Sequence, residues 1–216
     1  MYGIQSWGET LRLLVELSAT AAFALSGLME AARKRLDAVG VCVVAFLAAF
    51  GGGTLRDLLL DQRPFFWVQH TEMLWGVLAL CVLAMVFMRQ RHFEVTEKAI
   101  LWPDALGLGL FTASGVHQAL QANMPPVVAV LMGLITGVFG GVFGGVLRDM
   151  VCNEIPTAFK DHRPYAVCAF AGGWTYVGLW FTDAPGWVAL LGCLVVTVGL
   201  RALALWRNWQ LPAWRA

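Results

Sequence analysis

Two hexapeptides carry the side chains that chemistry would use. Gly52-Gly53-Thr54-Leu55-Arg56-Asp57 reappears as Gly144-Gly145-Val146-Leu147-Arg148-Asp149, displaced by 92 residues, and each copy lies in a stretch otherwise poor in charge. An arginine or aspartate facing lipid at a helix centre costs roughly 2.5 to 3.5 kcal/mol. Arg56, Asp57, Arg148 and Asp149 are therefore expected to face protein or water, either lining a polar pathway or fixing an interface as structural ion pairs. Neighbours on a helix point about 100° apart, so each arginine is expected to find its carboxylate elsewhere. The candidate pairs are Arg56 with Asp149 and Arg148 with Asp57, with Glu16 or Asp104 as substitute partners.

Glycines crowd the same places. Gly51, Gly52 and Gly53 stand at the centre of 38–63, and Gly140, Gly141, Gly144 and Gly145 at the centre of 126–155. Consecutive glycines inside a helix cost about 1 kcal/mol each relative to alanine in water. Either the helices break there and the freed carbonyls line a wet pathway, replacing part of a cation's hydration shell, or the glycines let helices pack closely. Thr54 belongs to the same set. Ser26 and Ser114 precede Gly27 and Gly115 at matched positions, where a hydroxyl either serves a passing ion or bonds a carbonyl one turn back.

Other chemistries find less support. Ser114 and His117 lie one turn apart, but the matched Ser26 has no histidine and no third group orients the pair, so an enzyme is not expected. The five cysteines, Cys42, Cys81, Cys152, Cys168 and Cys193, are scattered singly and read as small hydrophobes. No phosphate loop or metal-ligand spacing appears, so no metal or cofactor is expected.

The elements that must position these residues are membrane helices. Hydrophobic residues make up 59% of the 216-residue chain, charged residues only 13%, and the mean hydropathy is +0.68, values that point to a membrane. Charge-free runs at 38–55, 73–88, 127–147, 164–182 and 184–200 approach or exceed the roughly 20 residues that span a bilayer. Two further runs, 13–31 with Glu16 in its body and Glu30 at its end and 99–116 with Asp104, bring the count to seven spans. Glu9 and Arg12 precede the first span where a secretory signal would be basic, so that span is expected to remain in the mature protein.

Counting alternate loops, one side collects Arg33, Lys34, Arg35, Arg89, Arg91, Lys98, Lys160, Arg163, Arg201, Arg207 and Arg215, against Arg12 and Arg63 on the other. The positive-inside rule then places the amino terminus outside and the carboxyl terminus in the cytoplasm of a multi-pass protein of the cell (inner) membrane. The net charge of +1 gives no sign of a nucleic-acid partner.

A second matched block supports duplication. Phe23-Ala24-Leu25-Ser26-Gly27 corresponds to Phe111-Thr112-Ala113-Ser114-Gly115, with Glu16 and Asp104 each seven residues ahead; the displacement is 88, which suggests a four-residue difference in a loop. The expected organisation is one membrane domain over 1–216: a three-helix repeat at 11–90, a second at 99–182, and an unrepeated seventh helix at 184–206. Three spans per repeat make the copies inverted, with a pathway at their interface.

Two GGxLRD-type helices in inverted three-helix repeats, each with a proline eight residues after its arginine (Pro64, Pro156), plus a seventh helix, resemble the prokaryotic trimeric intracellular cation (TRIC) channels over nearly the whole chain. The resemblance implies a homotrimer among membrane lipid, a pore in each protomer lined by broken second and fifth helices, and monovalent cations as the passing solute, with potassium the physiological ion. Bacterial relatives are also linked to glycine uptake, so a secondary transporter of a small zwitterion stands as the alternative. The Lys-Glu-Val triplet tied to phosphoinositides in animal members has no counterpart here.

Overall fold

In the computed structural model the backbone is described for residues 2–90, 97–151 and 164–210, and side chains for residue 10 and for 13–86, 99–140 and 164–210. Among them there is no strand. The helices are α1 (Tyr2–Arg33), α2 (Ala38–Leu59), a four-residue α3 (Phe66–Gln69), α4 (Thr71–Gln90), α5 (Glu97–Gln121), α6 (Pro126–Val151), α7 (Ala166–Trp180) and α8 (Gly186–Trp206). Leu13–Arg33, Ala38–Leu59, Ala99–Gln121 and Gly186–Trp206 are long and apolar enough to cross a membrane, and Thr71–Val86 and Pro126–Gly140 are shorter apolar helices. Large apolar side chains cover the outside, among them Val39, Trp75, Leu83, Trp102 and Val195, the surface of a chain solvated by lipid. Exposed Trp187 and Trp206 mark the two ends of α8, roughly 30 Å apart at 1.5 Å per residue, close to the hydrocarbon thickness.

Helix ends use one device repeatedly. Asp61 (φ 52°) follows α2 in the left-handed region, its N–H donates to Leu58 O, and Gln62 N–H donates to Asp57 O at 2.8 Å, a Schellman motif. α2 therefore stops at Leu59, ahead of the Arg63 boundary expected from Pro64, because its last carbonyls are already satisfied. Arg35, Asn123, Asp183 and Asn208 adopt the same conformation after α1, α5, α7 and α8.

Packing divides the chain into two groups and a junction. α1, α2 and α4 share a core around Ala24, Val44, Ala45, Phe50 and Val77. α5 to α8 share another around Val116, Val130, Tyr176 and Cys193. Where α1 meets α5 and α2 meets α6, a third cluster joins them through Phe23, Ala48, Leu108 and Phe111, with the Phe23 and Phe111 rings 5.3 Å apart.

The glycines serve this packing. α2 runs without interruption through Gly51, Gly52 and Gly53, and α6 through Gly140, Gly141, Gly144 and Gly145, so the expected breaks are absent. A Cβ at Gly52 would stand 2.1 Å from Thr136 O and 2.7 Å from Gly140 N; one at Gly140 would meet the Phe23 ring at 2.5 Å. Backbone at Gly52 and aromatic rings at Gly140 thus occupy the room a side chain would need, and contacts made at that range stabilise helices that glycine's low propensity would weaken.

The two groups match in detail. Gly27 sits against Val44 O, Ala45 and Ala48, and Gly115 against Met132 O, Gly133 and Thr136, every position displaced by 88. The links are equally long, with Arg33 and Ala38 bounding one and Gln121 and Pro126 the other. Yet α2 has 22 residues and α6 has 26. The four-residue offset therefore lies inside α6, between Thr136 and Gly144, and not in a loop as expected.

Gly52→Ala should lower stability by about 1 to 3 kcal/mol through overpacking against α6. Gly53→Ala, whose added methyl would meet nothing nearer than Arg56 Nη2 at 3.9 Å, should be neutral or stabilising by up to about 1 kcal/mol. Thermal unfolding of the two single variants in detergent checks the contrast, and equal losses would reject the packing assignment.

Candidate functional site

Arg56 occupies the last turn of α2, where a cation suits the helix dipole, and it is fully buried. Its Nε and Nη2 donate to Asp57 Oδ1 at 2.9 and 2.7 Å. Nη1 donates to Ser114 Oγ on α5 at 2.9 Å and to Glu16 Oε1 on α1. Glu16 Oε1 also accepts from the Ser114 hydroxyl and from Gln118 Nε2 at 3.1 Å. Asp57 Oδ2 accepts the backbone N–H of Phe66 at 2.8 Å, tying the start of α3 to the end of α2. One guanidinium thus joins α1, α2, α5 and the α2–α3 turn.

This corrects the expectation that adjacent residues would not pair. The argument from Cβ directions overlooks the length of arginine, whose flexible stem lets the planar fork fold back onto the next residue. Glu16, proposed only as a substitute, is the principal partner from another helix. Both described oxygens of Asp57 are engaged without Arg148. The side chains of Arg148 and Asp149 lie outside the described residues, as does any Arg56–Asp149 pair.

The remaining candidates divide. Thr54 Oγ1 donates to Phe50 O at 2.7 Å, the one-turn back-bond, and accepts from Trp67 Nε1 at 3.0 Å. Ser114 is in the cluster, whereas Ser26 is buried on α1 apart from it. Gly53 stands beside Arg56, and Gly51 is half-buried on the same turn. Asp104 forms a separate centre, accepting from Tyr165 Oη at 3.2 Å.

Several participants escaped the sequence reasoning. Gln118 lies one turn beyond Ser114, also bonding its hydroxyl at 3.0 Å, and that i, i+4 spacing is a signal that was present. Arg201, counted above as a loop charge, is buried within α8: Nη1 donates to Pro164 O at 3.2 Å and its guanidinium carbon lies 4.8 Å from the Tyr165 ring centroid. His117, read at first sight beside Ser114, instead pairs through Nδ1 with Tyr176 Oη at 2.8 Å. No group of three or more potential metal ligands occurs among the described residues.

The arrangement is a polar, charged knot at the junction of the two groups. The sequence model of a family described as Glycine transporter matches residues 13–89 and again 101–181. The solved structure of the TRIC trimeric intracellular cation channel orthologue from Rhodobacter sphaeroides is 31% identical, covers 93% of this chain and 100% of its own, and superposes with a TM-score of 0.80. The chain belongs to the TRIC family. A second solved structure, from work on conductance through TRIC cation channels, is 32% identical over 94% of this chain and 97% of its own, with a TM-score of 0.79. Among curated relatives, the UPF0126 inner membrane protein YadS of Escherichia coli K12 is 35% identical over 200 residues, 92% of this TRIC-family chain and 93% of YadS.

Removing one partner of a buried ion pair costs about 3 to 5 kcal/mol, much of it the penalty of the charge left behind. Arg56→Gln, which leaves two carboxylates facing one another, should be the most harmful single change in the cluster. Adding Glu16→Gln to it should recover part of the loss, and a double-mutant cycle in thermal unfolding measures that coupling. Additive losses would mean that the three charges are solvated separately.

Proposed function

We propose that this TRIC-family protein is a channel for monovalent cations, with potassium the physiological ion. Each protomer of a homotrimer would hold its own pathway, beside α2 and α6 and walled by Gly51, Gly52, Gly53, Thr54, Gly140, Gly141, Gly144 and Gly145. Its charged side chains would be Arg56, Asp57, Arg148 and Asp149, with Glu16 and Asp104 as partners and Ser26 and Ser114 as hydroxyl ligands. The observation that carries this is the fully buried Arg56 held by Glu16, Asp57 and Ser114 where the two helix groups meet. Charge at that depth is expensive and in membrane proteins marks ion and substrate pathways. Since α2 and α6 are unbroken, selectivity would rest on carboxylates and hydroxyls more than on unwound carbonyls.

Two inverted repeats of three spans and a seventh helix, with the amino terminus extracytoplasmic and the carboxyl terminus cytoplasmic, account for the halves best. Support comes from the 88-residue correspondence of the Gly27 and Gly115 crossings and from a family match that occurs twice. Cysteines placed at Lys34 and at Ala122 should be labelled from opposite sides of the membrane, Lys34 from the cytoplasm. Labelling from one side would remove the inversion.

A carrier for a small zwitterion is the second reading, favoured by the family's description as a glycine transporter. A channel needs a continuous path with weak sites; a carrier needs an occluded site that alternates its access. The purified protein in a planar bilayer should give unitary currents in KCl, and in vesicles it should fail to accumulate radiolabelled glycine. Saturable glycine uptake without unitary current would reverse the assignment.

A further inference from the structure

The charge of the Arg56 cluster does not balance. Two carboxylates, Glu16 and Asp57, meet one guanidinium, and both acids and the arginine are at most 2% exposed. Ser114 and Gln118, which complete the cluster, are neutral. Among the described residues no second cation faces it, so those residues together carry a net charge of −1 at a buried position. A buried excess charge is stable only if something of opposite sign neutralises it.

A small cavity adjoins the negative side. It is lined by Glu16 and Thr20 of α1, by Ala49, Phe50 and Gly53 of α2, by Phe66 and Trp67, and by Phe111 of α5, and it holds about 10 Å³. That is room for about one water-sized particle. Three features of its wall suit a cation. First, every described bond to Glu16 falls on Oε1, which accepts from Arg56, Ser114 and Gln118, and none falls on Oε2. Second, Thr20, one helical turn along the same face and 5% exposed, makes no hydrogen bond among the described residues although it lines the cavity. A buried hydroxyl that takes no helical back-bond is aimed at something else. Third, the aromatic side chains of Phe50, Trp67 and Phe111 line the space, and aromatic rings attract cations placed over them. Gly53 keeps the cavity open, since a Cβ there would find no atom nearer than 3.9 Å.

We infer that this cavity binds one partly dehydrated monovalent cation, held by the free carboxylate oxygen of Glu16 and the hydroxyl of Thr20. The inference rests on the channel reading for its physiological meaning but not for its physics. One positive charge cancels the surplus of the cluster, whereas a divalent ion would leave it +1. The ion takes the carboxylate oxygen that no described donor reaches, since all three donors converge on Oε1. Arg56 keeps the site weak, because the guanidinium that orders Glu16 also repels the ion beside it, and weak sites are what conduction requires.

The test is thermal unfolding of the full-length protein in detergent, with K⁺ exchanged for N-methyl-D-glucamine at constant ionic strength. Binding to the folded state should raise the melting temperature with saturation, by roughly 4 °C at thirty times the dissociation constant. Gly53→Ala places a methyl in the cavity without clashing and should abolish the K⁺ dependence while preserving the fold. Glu16→Gln should abolish it too, and Thr20→Val should shift the half-saturating concentration upward several-fold. A wild-type melting temperature indifferent to K⁺ would overturn the inference, as would an unchanged K⁺ response in Gly53→Ala. An infrared band of a protonated carboxyl that persists in saturating K⁺ and disappears in Glu16→Gln would likewise overturn it in favour of a proton. Unitary currents in a protein whose stability ignores K⁺ would leave the channel standing and remove this site; K⁺-dependent stability without currents would do the reverse.

Discussion

A fully buried guanidinium governs this structure. Arginine stays charged at any pH the protein meets, so every group around Arg56 must be arranged to receive it. Asp57 takes two of its donors, while Glu16 and Ser114 share a third nitrogen from two other helices. For those two side chains to reach one nitrogen, α1 and α5 must both lie close to the end of α2. Small residues supply that closeness: Gly27 against Ala48 brings α1 onto α2, and Gly52 against Thr136 and Gly140 brings α2 onto α6. Enlarging Gly52 would push a helix outward one turn from Arg56, and enlarging Gly27 would do so about three turns from Glu16, each lengthening a charged hydrogen bond. Packing and electrostatics are therefore one constraint here.

Much of this was legible in the sequence, and the illegible part has physical causes. Hydropathy located the long helices because lipid demands apolar stretches regardless of what lies inside. The Arg-Asp motifs marked a site because charge in such a stretch needs a reason. Direction was harder. Arg56 turns toward its own neighbour and toward Glu16, a choice made by side-chain length and by Asp61 ending the helix early, neither of which periodicity encodes. The glycines allowed two explanations from the start, and at Gly52 and Gly140 the neighbouring atoms show close contact that no sequence pattern announces. Arg201 was counted with the basic side although it falls within the expected seventh helix, and hydropathy does not reveal that its guanidinium turns inward onto Pro164 O. Partnership between Asp104 and Tyr165 joins residues 61 apart with no motif to announce it.

The two helix groups share construction but not content. Glu16 and Asp104 hold matched positions, yet the first meets an arginine from α2 while the second meets a tyrosine hydroxyl ahead of α7, with Arg201 stacked behind it. α8 thus brings a cation to the second group, whereas the first draws its cation from its own α2.

The extra turn of α6 deepens this inequality. Four residues advance a helix by about 6 Å and rotate it by about 40° beyond a full turn. Counted from the matched crossings, Gly144 and Gly145 stand where α2 has Arg56 and Asp57, and the second arginine-aspartate pair follows one turn further along the helix. A conduit running past both pairs would meet them at unequal distances from the two matched helix crossings. Ions entering from the two sides would climb unlike electrostatic profiles, and the current at equal and opposite voltages would be unequal. Rectification would then be written into the length of a single helix, without any moving gate.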